Sequence, residues 1–321
     1  MSSGNLIKLA LQHFGCTQKE LATKLEVSPA QISKWKADEH MSFDMEEKLD
    51  LLIGLDKRNP DVVAWTGGVE QADKWGKLVS YLAYSASQEG ETGYITVPLE
   101  DDYDGLLCWN ILNILQEAGV NIPKEFPSEI DFDYESDDDD SSEKFDCLYE
   151  ENPFSKIISS SFRALTDVYG FYAAYFSDIM DNDDLELMES KAGNIESDLL
   201  GLAFCKVGEK SEFMPKFDDF KYRTLKDYQE WIEIVKNKAF LNNVPLKAEL
   251  INMVLDGHDR LGHEAEAEYL GLTSKRLHPD VYMNEILQSH RIIQQVLPAI
   301  CKKLDITEKE LDIDLSKLYL K

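Results

Sequence analysis

TQKELATKLEVSPAQISKWK, residues Thr17–Lys36, is the stretch that decides the fold of the N-terminal region. Thr17 and Glu20 have the spacing of a capping box, in which the hydroxyl accepts the Glu20 amide and the carboxylate reaches back. That pair predicts a helix running to Leu25. Glu26-Val27 then reads as a tight turn. Ser28 suits an N-cap, and Pro29 suits the first helical position, where its missing amide costs nothing. A second helix follows through Lys36. Leu21, Ala22 and Leu25 form an apolar stripe on the first helix, and Ile32 and Trp35 form one on the second. Two short helices locked by such stripes across a three- or four-residue turn make a helix-turn-helix.

Working outward, Leu6, Ala10 and Phe14, with Ile7 and Leu11, predict a helix before this pair. Met45, Leu49 and Leu52 predict one after it, so four short helices span residues 5–55. Lys57-Arg58-Asn59-Pro60 marks a boundary. Helices are expected over 69–88 and 104–118, and Tyr94–Val97 is the best strand candidate. Pro123 and Pro127 interrupt the pattern. Residues 131–151 carry eleven acids and one base, Lys144, with Asp137–Asp140 in a row. So dense a run cannot bury itself and is expected to be a loop or linker. Further amphipathic segments lie near 154–180, 195–206, 224–240, 246–256, 263–270 and 279–304.

The expected architecture is mostly α. A four-helix helix-turn-helix domain occupies 1–57, a mostly helical segment 58–130, an acidic loop or linker 131–151, and a helical C-terminal domain 152–321. The last could pack with 58–130 as one larger acidic unit.

Composition bounds the function. The chain has 321 residues, 43% hydrophobic and 10% aromatic, enough for sizeable cores. Sixty-one acids against 33 bases give a net charge of −28, which repels nucleic acid and anionic membrane at long range. The first 40 residues depart from that balance. Lys8, Lys19, Lys24, Lys34 and Lys36 face Glu20, Glu26, Asp38 and Glu39, five minus four or +1, leaving −29 for the rest. The five cysteines Cys16, Cys108, Cys147, Cys205 and Cys301 are odd in number and widely spaced, which argues against a disulfide framework or zinc knuckle. MSSGNLIKLALQHF lacks the charged n-region and cleavage site of a secretory leader, and no apolar run is long enough to span a bilayer. The expected setting is cytoplasmic.

The Thr17–Lys36 pattern closely resembles the phage-repressor (Cro-like, XRE-type) helix-turn-helix family, over about the first 55 residues. Gln18, Leu21-Ala22, Val27, Ile32 and Trp35 carry the resemblance. It implies major-groove DNA binding by the second helix of the pair. Gln18, at a helix N-terminus, would meet phosphate. Pro29, Ala30, Ser33 and Lys34, opposite Ile32 and Trp35, would face the groove, with Lys34 suited to a guanine edge. Ser28, Gln31 and Lys36 flank that face, and Lys19 and Lys24 are phosphate candidates. Two positions depart from the pattern. Glu26 stands in the turn where glycine is usual, and Ala37-Asp38-Glu39 follows the recognition helix where a glycine is common.

Other constellations point less far. Asp256-Gly-His258-Asp259 with His263 invites a metal reading, but further ligands are missing and the glycines suit a turn. Asp131-x-Asp133-x-Glu135 begins like a calcium loop, then has Ser136 and Ser142 where glycine and glutamate are required. Val168, Tyr172, Tyr175, Phe176 and Ile179 share a helix face and read as core. No phosphate-binding glycine loop, GxSxG elbow or HExxH helix is present. No cofactor, metal or catalytic residue is expected.

The resulting expectation is a non-enzymatic, sequence-specific DNA-binding transcriptional regulator. Its partners would be double-stranded DNA and a second copy, with Ile286, Ile293, Val296, Leu297 and Ile300 as a plausible dimer helix. The larger C-terminal region would sense a ligand or partner. The alternative is an acidic interaction protein that mimics DNA or inhibits a basic protein partner.

Overall fold

The computed structural model describes residues 2–90, 92–100, 105–134, 146–242, 296 and 298–304. Among them the secondary structure is helical, with no strand. The backbone divides into two compact units, Met1–Ala174 with Gly193–Glu230, and Tyr175–Ala192 with Trp231–Lys321.

Five short helices open the first unit: α1 (Ser3–Phe14), α2 (Gln18–Leu25), α3 (Pro29–Lys36), α4 (Phe43–Ile53) and α5 (Pro60–Thr66). α1 is the hub, packing against the other four. Its Leu6, Ile7 and Ala10 meet a core of Leu21, Ala22, Leu25, Ile32 and Leu49, all buried. The fourth helix buries Leu49 and Ile53, whereas Leu52 is 44% exposed. The expected Met45–Leu49–Leu52 stripe is therefore corrected at Leu52. Ile53, four residues after Leu49, continues the buried face, and Leu52 falls about 100° away from it.

α5 ties these helices to the rest of the unit. Asp61, buried in its first turn, accepts Asn5 Nδ2 at 3.0 Å and Trp109 Nε1 at 3.1 Å. The last carbonyls of α5, from Ala64 and Trp65, accept the Lys124 ammonium at 2.7 Å each, a cation where the helix dipole is negative. Arg58 grips Asp73 through both ends of its guanidinium, with Nη2 3.2 Å from Oδ2.

Next come α6 (Val69–Glu89), the short α7 (Val97–Glu100) and α8 (Leu106–Glu117). Tyr94–Val97 is not a strand: a bend leads into α7, whose first turn holds Pro98. Four residues with no neighbouring strand to pair their backbone cannot hold an extended ladder. Trp75 of α6 is fully buried, edge-on to Phe126 at 5.1 Å and to Phe154 at 5.4 Å.

Of the acidic stretch, Asp131 pairs with Lys74, and Cys147–Glu151 forms a turn of π-helix. Residues 135–145 lie outside the described residues. α9 (Pro153–Tyr175) follows, and its Asn152 cap accepts the amides of Phe154 and Ser155. Val168 and Tyr172 of α9 are buried, as is Phe176 just beyond it, in keeping with their reading as core.

Two further long helices are α10 (Leu199–Val207) and α11 (Phe217–Leu241). α10 is apolar nearly all round, and its Phe204 meets Phe217 and Phe220 edge-on at 5.6 and 5.4 Å. Tyr228 of α11 is fully buried and donates to the Ile195 carbonyl at 2.8 Å. The segments expected near 246–256 and 263–270 lie outside the described residues. So does the start of the one at 279–304, of which residues 298–304 are helical. No helix among the described residues is long and apolar enough to cross a membrane, and none of the cysteines Cys16, Cys108, Cys147, Cys205 and Cys301 is in a disulfide.

Candidate nucleic-acid interface

The capping box forms as its spacing predicts. Thr17 Oγ1 accepts the Glu20 amide at 3.4 Å, and Glu20 Oε2 accepts the Thr17 amide at 2.7 Å and its hydroxyl at 2.9 Å. The Thr17 amide and hydroxyl hold the Glu20 carboxyl below its usual range. α2 then ends at Glu26, which is left-handed at φ 59°, ψ 38°. The turn closes with the Val27 amide 2.9 Å from the Ala22 carbonyl and the Glu26 amide 3.3 Å from that of Thr23. A glutamate thus occupies the backbone conformation that favours glycine, at a cost of about 1 kcal/mol.

Ser28 caps α3 by accepting the Gln31 amide at 3.2 Å, with Pro29 in the first turn. Ile32 and Trp35 are buried, so α3 turns its other side outward. Ser28, Pro29, Ala30, Ser33, Lys34 and Lys36 are exposed, and Gln31 is half-buried. On α2, Lys19 is exposed and Gln18 half-buried. The two helices meet on this side, where the Ser33 hydroxyl lies 3.4 Å from Gln18 Oε1 and 3.1 Å from the Pro29 carbonyl. Of the nine residues singled out from sequence, the structure brings Gln18 and Ser33 into contact and buries none. Lys24 stands apart from that contact, its ammonium 4.5 Å from the centre of the Phe14 ring.

The end of α3 holds what the sequence did not reveal. Asp38 is left-handed at φ 61°, and its Oδ1 accepts the Ser2 hydroxyl at 2.6 Å and the Gly4 amide at 2.8 Å. It therefore closes the N-terminus of α1, where helix amides and dipole favour an anion. The Ser2 hydroxyl, then the Gly4 amide, hold its carboxyl below the usual range. Gly4 is required by this approach, since a Cβ there would sit 2.8 Å from Asp38 Oδ1. Ser3 adds a second tie, its hydroxyl 2.8 Å from the Glu39 carbonyl and 3.2 Å from that of Trp35. Of the two acids after α3, Asp38 is thus spent on α1, while Glu39 Oε2 lies 3.6 Å from Lys34 Nζ. The only signal for the Asp38 contact was glycine at position 4, which means nothing until α1 and α3 are brought together.

Elsewhere in the first unit, Trp109, Asn113, Asp198, Arg223 and Asp227 line a cavity of about 260 Å³. Burial, then Asp227 and Glu117, push the Asp198 carboxyl up to about 7. Among the described residues no group of three or more His, Cys, Asp or Glu side chains could hold a metal ion. His258 and His263 lie outside the described residues.

A family model described as Helix-turn-helix matches residues 7–46. The N-terminal helices are accordingly a helix-turn-helix, in keeping with the resemblance carried by Thr17–Lys36, and that match leaves the residues beyond 46 unassigned. No curated protein sequence and no solved structure matched the chain.

Proposed function

We propose that the chain is a sequence-specific DNA-binding protein that regulates transcription, with α3 as its recognition helix. The observation that carries this is the surface around the Gln18–Ser33 contact. Polar and cationic side chains of α2 and α3 are exposed on either side of that contact, and neither acid after α3 is left unpaired beside it. Helix N-termini and lysines supply phosphate contacts, and exposed side chains on α3 supply base contacts. In this reading Lys34, Ser33 and Ala30 face bases, Gln18, Lys19 and Lys36 face phosphates, and Ser28, Pro29 and Gln31 set the approach of α3.

The remainder acts as sensor and dimeriser. The cavity beside Asp198 offers a small ligand a place, and Trp109 links it to the module. Trp109 lines that cavity and donates to Asp61, which also accepts from Asn5 of α1. A ligand that moved Trp109 would act on the helix against which α3 packs. Selection from a random duplex pool with the full-length protein tests the reading. An enriched, palindromic motif lost on Lys34→Ala and Ser33→Ala supports it, and an unenriched pool contradicts it.

A further inference from the structure

We infer that the cavity beside Asp198 binds a small organic cation, a protonated amine or guanidinium carried on a short apolar stem. This names the ligand class for the sensing role proposed above. The regulatory meaning of the site rests on that reading, but the binding itself does not.

The walls define the charge of the ligand. α8 contributes Asn113 and Glu117, the residue leading into α10 is Asp198, and α11 contributes Arg223 and Asp227. The Arg223 cation is already engaged, its Nη2 lying 3.3 Å from Glu117 Oε2. Glu117 Oε1 also accepts Asn113 Nδ2 at 3.1 Å. Among the described residues Asp198 and Asp227 have no such cation partner. Asp198 occupies the N-cap of α10 yet makes no capping hydrogen bond with its side chain. A helix N-terminus ordinarily favours an anion. Here burial, then Asp227 and Glu117, outweigh that effect and favour the protonated acid. An incoming cation supplies the missing counter-charge.

Size and apolar surface narrow the class further. The cavity holds about 260 Å³, just under the ~300 Å³ at which sites for drug-sized molecules begin. It suits a short amine and excludes a nucleotide. A bare metal ion is a poorer match, since among the described residues no three His, Cys, Asp or Glu side chains could hold one. Leu200, Phe220 and Trp109 also line the cavity and offer apolar surface to a stem. Trp109 donates its ring nitrogen to Asp61 and stacks on Trp65 at 6.4 Å between ring centres. That leaves its opposite face for the ligand, and indole is the ring that attracts a cation most strongly. Binding is also linked to protons. Asp198 is flanked by Glu117 of α8, Cys205 of α10, and Arg223, Asp227 and Tyr228 of α11. Burial keeps Cys205 and Tyr228 in their neutral forms. The Asp198 carboxyl must release its proton to meet a cation, so affinity rises with pH until that proton is lost near 7.

Isothermal titration calorimetry of the full-length protein with putrescine and butylamine tests this, with butanol and butyrate as neutral and anionic molecules of the same length. We expect one saturable site for putrescine, with butanol and butyrate at least about tenfold weaker. Asp198→Asn and the exposed Asp227→Asn, both checked for folding by circular dichroism, should each weaken putrescine about tenfold. Affinity should rise about tenfold between about pH 6 and pH 8, and Asp198→Asn should abolish that rise. A saturable site that leaves affinity for the selected duplex unchanged upholds the cation site and removes its sensing role. No saturable binding of putrescine up to ~10 mM overturns the inference. Equal binding of butanol does so too, as does binding indifferent to both substitutions.

Discussion

Lys34 Nζ lies 3.6 Å from Glu39 Oε2, so the cation on the outward face of the recognition helix is held by an acid five residues further along the chain. Both side chains are more than half exposed, and such a pair contributes about 0–1 kcal/mol. Reaching DNA therefore costs Lys34 little. Glu39→Gln should raise affinity for the selected site by less than about tenfold, removing both the competing contact and a repulsive charge. Lys34→Ala should lower it by about 1–3 kcal/mol and relax the preference at one base position. Gel shifts on a panel of single-base operator variants read both effects, and an unchanged operator profile for Lys34→Ala would remove it from the base-reading face.

Trp35 separates folding from recognition. It is buried beside Ile32, so Trp35→Ala should cost about 3–5 kcal/mol of module stability. Thermal melting followed by circular dichroism checks this. A variant that melts like the parent would place Trp35 on the wrong face.

Glu26 and Asp38 share a left-handed backbone but not a fate. Glu26→Gly should stabilise the module by about 0.5–1 kcal/mol, because it relieves the conformation and removes no tertiary contact. Asp38→Gly relieves the same conformation yet loses the hydrogen bonds from Ser2 and Gly4, each worth about 1 kcal/mol. It should give no gain or a net loss. Equilibrium denaturation of the two variants side by side decides it, and an equal gain from both would deny Asp38 its role at the start of α1.

Asp198 gives the body a pH signature. Its carboxyl is raised to about 7 in the fold, by burial first and then by Asp227 and Glu117, against about 3.9 in an unfolded chain. The folded state then holds the proton more tightly. Its stabilising effect is complete below about pH 4 and is lost as pH rises through 7. Asp198→Asn should flatten stability between pH 4 and 7 and exceed the parent at pH 8 by about 1–3 kcal/mol, allowing for partial solvent access. Urea midpoints across that range measure it, and parallel curves for parent and variant would show that Asp198 titrates normally.

The legible parts of the fold are those whose cause is local. Thr17 with Glu20, and Ser28 with Pro29, set helix starts within four residues of themselves, so α2 and α3 could be read directly. The outward face of α3 followed from its period. What escaped reading depends on contacts distant in sequence. Asp38 stood in the sequence only as a departure after the recognition helix, and its place at α1 arises only when residues 34 to 36 positions apart meet. Asp61 likewise joins Asn5 and Trp109 across 56 and 48 positions, so α5 packs on α1 beyond the Lys57–Pro60 boundary. Tyr94–Val97 misled because four residues of β-prone composition also fit a bend before a short helix when no strand lies alongside.

The most direct measurement is binding of the full-length protein to its selected duplex as a function of salt. In the proposed reading Lys19, Lys34 and Lys36 are the cations that meet DNA, so the account predicts a shallow slope. It corresponds to about three released counterions per protomer, one fewer in Lys36→Ala. The predicted result is a palindromic site bound with that slope, and with affinity lowered by Ser33→Ala and Lys34→Ala. Absence of duplex binding at every salt concentration, from a protein whose circular dichroism shows it folded, would contradict the account.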